Sequence, residues 1–262
     1  MNNGAGASFV ASAEAMCEGS NSSSNWGRND ETSFASNHCV FRCLCAAIPS
    51  RRGAGARARA RHHGRACASC HGAQGEGTSD VYFPRLAGKP AGYLCNQLVA
   101  FREGRRRYPP MNYLLEFLPD DYLKKIAEHF ASLRPPFPEP AIPTVSNEIL
   151  ARGEAIAKSG DPQRGVPPCA GCHGLSFGGM EPAFPGLLGL RASYISAQLG
   201  GWRYGTRTAA APDCMQIVAG FLTEDDVKAV AAFLSSRPAP ADPSFAPRGS
   251  LPMPLECGSE PK

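Results

Sequence analysis

Two short runs of this chain carry side chains suited to chemistry: Cys67-Ala-Ser-Cys70-His71 and Cys169-Ala-Gly-Cys172-His173. Two thiols three positions apart on a nascent helical turn can each add to a vinyl group of a haem. The residue that follows then turns its imidazole towards the iron. The same CxxC spacing serves zinc sites and dithiol redox centres. A zinc site wants its two pairs roughly 15–20 residues apart. Here about a hundred residues lie between them, and each pair has its own His. A thioredoxin-like centre wants a βαβ pattern nearby, and the sequence has none. The reading is therefore two covalently bound haem c groups, attached through Cys67 and Cys70 and through Cys169 and Cys172. Their irons are held on one side by His71 and His173.

The segments that position these motifs repeat. Phe83-Pro84 matches Phe184-Pro185 at an offset of 101, and YLCNQLVAFREGRR at 93–106 matches YISAQLGGWRYGTR at 194–207 at the same offset. Met111 and Met215 align at an offset of 104, as do Leu118 and Leu222, each followed by an acidic helix start. Leu123, Ile126, Ala127 and Phe130 recur at helical spacing, as do Val227, Val230, Ala231 and Leu234. Thr223 with Asp226 has the form of a capping box. Ser146 is placed to cap a helix running to about Ala157, with Ile149, Leu150 and Ile156 on one face. No alternating pattern of useful length argues for strands, so the fold class is all-α.

These residues carry a resemblance. CxxCH, Phe-Pro, the YLxxQLxxFRxGxR block and a Met before the last helix, all present twice over about 66–237, make the chain similar to the two-domain di-haem class I cytochromes c of the bacterial periplasm. The resemblance implies two tandem domains, at 66–134 and 147–237, joined by a Pro-rich linker at 135–146. It implies Met111 and Met215 as the second iron ligands, a soft sulfur opposite each His. Met111 lies 40 residues after His71 and Met215 lies 42 after His173, whereas Met180 sits only seven from His173 and reads as a packing Met. It also implies that Pro84 and Pro185 supply the carbonyls that accept the proximal imidazole N–H. Tyr93, Trp202, Arg102 and Arg203 stand open between haem contacts and ordinary helix packing. His129 reads as a surface residue, and His38, His62 and His63 are assigned no role.

The remaining segments are less regular. RPPFPEPAIPTVS at 134–146 should be a stiff, extended connector. The tail at 238–262 is Pro-rich and expected to lie irregularly along the surface. Of eleven Cys, Cys214 and Cys257 are spare thiols that an oxidising compartment would allow to form a disulfide. Residues 1–65 are atypical. They hold eight Lys and Arg against four Asp and Glu, while the rest holds nineteen of each. The basic balance thus belongs to that segment, and no nucleic-acid surface is indicated on the remainder. The run RRGAGARARARHH offers no apolar stripe for an opening helix, and residues 1–50 lack the basic start and apolar run of an export signal. The expectation is a poorly packed segment that is not the natural N-terminus, produced by an early start or a frame error in GC-rich DNA. A disordered basic leader is the alternative, and the coding DNA would distinguish the two.

The function implied is electron carriage with no catalytic residues, in the periplasm, since haem attachment of this kind takes place outside the cytoplasm. The expected partners are redox proteins: a quinol-oxidising cytochrome complex, a terminal oxidase or a dehydrogenase. Peripheral membrane association is left open. The alternatives are a di-haem enzyme, oxidising sulfur compounds or reducing peroxide, and a haem subunit of a dehydrogenase complex. Cys95 would be the thiolate ligand of such an enzyme, and reads first as a packed helical Cys.

Overall fold

The computed structural model describes residues 66–80 and 82–260. The expectations made for residues 1–65, and for the opening helix of the first half, lie outside them. Helices dominate. The first half runs through α1 (66–71), α2 (Ala91–Arg102), α3 (Pro109–Leu115) and α4 (Asp120–Ser132). The second runs through α5 (Asn147–Ser159), the short α6 (Ala170–His173), α7 (Ala192–Arg203), α8 (Cys214–Phe221) and α9 (Glu224–Ser235). One element had no signal in the sequence. A two-residue antiparallel ladder pairs β1 (Gly179–Met180) with β2 (Phe184–Pro185), so that Gly179 faces Pro185.

The helical periodicities fall where the cores are. Leu123, Ile126, Ala127 and Phe130 are all buried on α4, which packs against α2 around Leu94. Val227, Val230, Ala231 and Leu234 are buried on α9, which crosses α5. That crossing needs Gly153 on α5. A Cβ there would stand 2.1 Å from the Ala229 carbonyl oxygen, so the two backbones meet as closely as a missing side chain permits. Ser146 caps α5 through the Ile149 N–H, and the helix runs two residues beyond the expected end at Ala157. Ile149 and Leu150 are only half-buried, because Gly153, Ile156 and Ala157 make the contact with α9.

The linker is extended and anchored. Buried Arg85 donates to the carbonyls of Pro135 and Pro136, at 2.6 and 2.7 Å, and lies over the Phe137 ring at 4.4 Å. Ala141 N–H then donates to Ser235 at the end of α9. The tail is irregular and is held to the second half at several points, among them the disulfide that the spare thiols suggested. Ala246 pairs with Met180, Cys257 is buried and bonded to Cys214, and Gly258 N–H donates to Pro212. Pro-rich sequence hides such a path, because the tail's backbone bonds go to partners far away in the chain.

Asp226 ties α9 to what precedes it. Its carboxylate is fully buried, accepts from Arg152 and Arg164 at 2.6–2.8 Å, and completes the capping box with Thr223. Burial would raise this carboxyl, but the hydrogen bonds from Arg164, Thr223 and Arg152 hold it far below the usual carboxylate range. A carboxyl depressed in the folded state contributes stability above its unfolded pKa and loses it as the pH falls. Asp226→Asn should therefore cost about 2 kcal/mol at neutral pH, because both guanidiniums can turn to water and soften the loss. In thermal melts the gap from the wild type should begin to close only below about pH 4. A gap independent of acidity would contradict this account.

Candidate functional site

Both CxxCH runs lie on the short helical turns α1 and α6, with their His side chains buried. His71 Nδ1 lies 2.8 Å from the Pro84 carbonyl oxygen, and His173 Nδ1 lies 2.8 Å from that of Pro185. A carbonyl can only accept, so each Nδ1 carries the proton and each Nε2 keeps its lone pair free for a metal. Burial pushes the His173 imidazole down to about 4, with Lys89 and Arg207 adding to the effect, against the pull of the Pro185 bond. Burial also lowers His71. Both rings are thus neutral in the physiological range, the form a metal requires.

In the second half these groups line an apolar cleft that is partly open to solvent. Cys169, Cys172 and His173 line one side, Met215 and Val218 of α8 another, and Leu199, Trp202 and Leu234 the apolar walls. Burial pushes the Cys169 and Cys172 thiols up to about 11, opposite to what a dithiol redox centre needs. Among the described residues no three His, Cys, Asp or Glu side chains cluster to hold a metal ion, so a zinc site has no donor set. A flat apolar macrocycle with thioether links and one axial His fits this cleft. One further atom supports that fit. Trp202 Nε1 is buried without a hydrogen-bond partner on the cleft wall, a donor that a carboxylate carried by such a group would satisfy.

In the first half, Cys67 packs with Leu86, Tyr93, Cys95 and Leu98 against the α2–α4 core. Met111 on α3 packs with Phe101, Leu115 and Leu123, and Leu98 belongs to both groups. Burial raises the Cys95 thiol, which leaves it protonated within the helix contact. Met180 is buried beside Phe184 and Cys257, away from the cleft lining. His129 is exposed.

The four residues left open separate. Tyr93 and Trp202 line the second cleft. Arg102 instead donates to the Leu118 carbonyl and pairs with Asp120, holding the start of α4. Arg203 lies over Tyr204.

The largest feature that sequence reasoning missed lies between the halves. Arg106 donates to Gln97, Tyr194 and Gln198, while buried Arg207 donates to Gln198, Gln97 and Tyr93. The exchange is nearly symmetric, and each guanidinium lies over the aromatic ring five positions before it, Phe101 or Trp202. Arg106 and Arg207 also form a backbone bridge, flanked by bonds from Arg107 N–H to Thr206 and from Thr208 N–H to Arg105. Burial beside Arg106 pushes the Arg207 guanidinium down to about 10. The repeat itself was the signal: Tyr and Gln on α2 and α7, and Arg just past the end of each, matched at an offset of 101.

Comparison with known proteins agrees with this geometry. A cytochrome c family model matches residues 57–124. The thiosulfate dehydrogenase electron acceptor of Thiomonas intermedia strain K12 is 36% identical over 172 residues, 66% of this chain and 78% of that protein. The crystal structure of reduced recombinant cytochrome c4 from Pseudomonas stutzeri superposes with a TM-score of 0.59 at 28% identity, over 68% of this chain and 97% of that one. A thiosulfate dehydrogenase of Marichromatium purpuratum superposes with a TM-score of 0.60 at 36% identity over 66% of this chain, which spans 36% of that longer chain. With paired His–carbonyl geometry, a cleft for a covalent macrocycle and these relatives, the chain belongs to the di-haem class I cytochromes c, electron-transfer proteins that carry two covalently bound haem c groups.

Proposed function

We propose that this chain accepts single electrons from a dehydrogenase that oxidises a reduced sulfur compound, and passes them to a respiratory redox partner in the periplasm. Cys67, Cys70, Cys169 and Cys172 would hold the two haems, and His71 with Met111 and His173 with Met215 would ligate the irons. The observation that carries the reading is the cleft that His173 and Met215 both line, with Met111 at the matching place in the first half. Ligated by His and Met together, the groups would leave no open site for substrate and would supply one-electron exchange. Thiosulfate dehydrogenase electron acceptors among the relatives support the donor, and Cys95 is packed against the α2–α4 core. The Cys214–Cys257 disulfide and thioether attachment both suit an oxidising compartment.

The haem supplies the one-electron chemistry, and the chain's own residues govern how easily it proceeds. Pro84 and Pro185 fix each imidazole so that it does not reorient when the charge changes. Leu199, Trp202 and Leu234 give the cleft apolar walls, which would limit the water in contact with the group it holds. Two halves in one chain allow an electron entering at one haem to leave from the other.

Three measurements test the assignment. Pyridine haemochrome should give two haems per chain, falling to one when Cys169 and Cys172 are both replaced by Ser; two haems retained would refute the attachment. Met111→Ala and Met215→Ala should each remove half of the far-red methionine–iron absorption band and lower the potential of one haem, because a neutral thioether favours the reduced iron. A band untouched by either change would refute that ligand. Mixed with a thiosulfate dehydrogenase, the oxidised chain should be reduced on adding thiosulfate, and remain oxidised when the dehydrogenase is omitted. Reduction by thiosulfate alone would point to the enzyme reading.

A further inference from the structure

The two halves repeat, but the loop that accepts each proximal imidazole is held differently. In the second half the accepting carbonyl is that of Pro185 on β2, and the next residue is Gly186. Gly186 is wedged against the neighbouring loop, where a Cβ would come within 2.5 Å of the Gly178 carbonyl oxygen. Its own carbonyl accepts a 2.8 Å hydrogen bond from Lys89 Nζ, which comes from the first half. Lys89 is buried, and its side chain lies on the wall of the cleft that His173 also lines. At the repeat offset of 101, the residue matching Lys89 is Leu190 and the one matching Gly186 is Arg85. Arg85 spends its guanidinium on the linker carbonyls. The second half therefore borrows a buried ammonium from the first, and among the described residues no cation of the second half is bonded to the matching Pro84–Arg85 loop.

We propose that Lys89 is a positioning residue for the haem of the second half: it anchors the Pro185–Gly186 loop that orients His173, and it places one positive charge beside that haem and not the other. This rests on the reading of His173 as the proximal ligand. A buried cation beside a haem favours the reduced, less positive iron. Lys89 thus raises the potential of the second haem relative to the first and biases a shared electron towards it. At an effective dielectric near 20, one unit charge about 12 Å from the iron would change that equilibrium about tenfold, which for a single electron is about 59 mV.

The test uses the intact di-haem chain, with the first haem as internal reference. Redox titration followed by paramagnetic proton NMR reads both haems at once, since hyperfine-shifted methyl resonances report each oxidation state and each imidazole orientation. Lys89→Met removes both donor and charge. It should shift the inter-haem equilibrium about tenfold towards the first haem and alter the methyl pattern of the second haem alone. Lys89→Arg keeps the charge and a donor and should restore the wild-type equilibrium to within about twofold. Lys89→Gln keeps a donor without the charge, and should preserve the methyl pattern while losing the tenfold bias. An unmoved midpoint in Lys89→Met, equal movement of both haems, or full restoration by Lys89→Gln would overturn the proposal. Failure of the underlying reading looks different. Hyperfine-shifted His173 ring protons would then be missing from the wild-type protein, overturning the ligand assignment and this proposal with it.

Discussion

A single hydrogen bond, made twice, organises this molecule: an imidazole N–H held by a proline carbonyl. A histidine bound through one nitrogen is free to spin about its side-chain bonds unless the other nitrogen is committed. A ring that spins cannot keep one bond length and one potential through repeated electron transfer. Proline suits the accepting position, because its carbonyl remains available and its fixed φ stiffens the loop. Much of what surrounds the cleft can be understood as support for that carbonyl. In the second half β1 pairs with β2 to hold Pro185, the tail pairs with β1 through Ala246 and Met180, and the disulfide pins the tail to α8. The same disulfide joins Cys214 to the tail one residue before Met215, so both sides of the cleft share one restraint.

The second constraint is the joining of two small cores. Each half has a modest apolar cluster, and the contact between them is polar. Two like charges at one interface repel, and the structure answers with geometry rather than with a carboxylate. Gln97 and Gln198 each accept from both guanidiniums, and Phe101 and Trp202 offer ring faces beneath them. An amide oxygen has two lone pairs, which is what a shared acceptor between two donors requires. The arrangement fixes the halves in one register, since a shift along α2 or α7 would break several bonds at once. For two haems that must exchange an electron, a fixed register means a fixed distance.

What could be read from the sequence followed from how locally the physics acts. The CxxCH turns, the buried stripes of α4 and α9, and the Thr223–Asp226 capping box depend on residues a few positions apart, and each stood in the chain as a pattern. The repeat extended this to Pro84 and Pro185, whose carbonyls meet His71 and His173, because duplicated spacing marks positions that neither copy would mark alone. What was not legible depends on encounters between distant segments. The β1–β2 ladder is two residues long and has no alternation to detect. Arg102 shares a matched position with Arg203, yet it holds the start of α4 through Leu118 and Asp120. In the tail the two spare thiols pointed to the Cys214–Cys257 bond, whereas a Pro-rich segment has no periodicity to announce that Ala246 pairs with Met180.

Lys89 belongs to the same class, and it shows why a repeat misleads as well as informs. Gene duplication produces two copies with the same internal spacing, but once fused the copies no longer have the same surroundings. One half has a linker after it and the other before it, and the tail packs on the second, meeting the first through Asn96, which donates to the Ser259 carbonyl. A residue on the contact face, such as Lys89 opposite Gly186, faces a partner that its counterpart Leu190 never meets. Sequence comparison of the halves registers this only as a mismatch, one substitution among many. Burial changes its weight: an ammonium with 7% exposure, held by one carbonyl, acts through a low-dielectric medium on whatever lies in the cleft. Pseudo-symmetry therefore sets how each haem is held, while the few positions that break it set how the two haems differ.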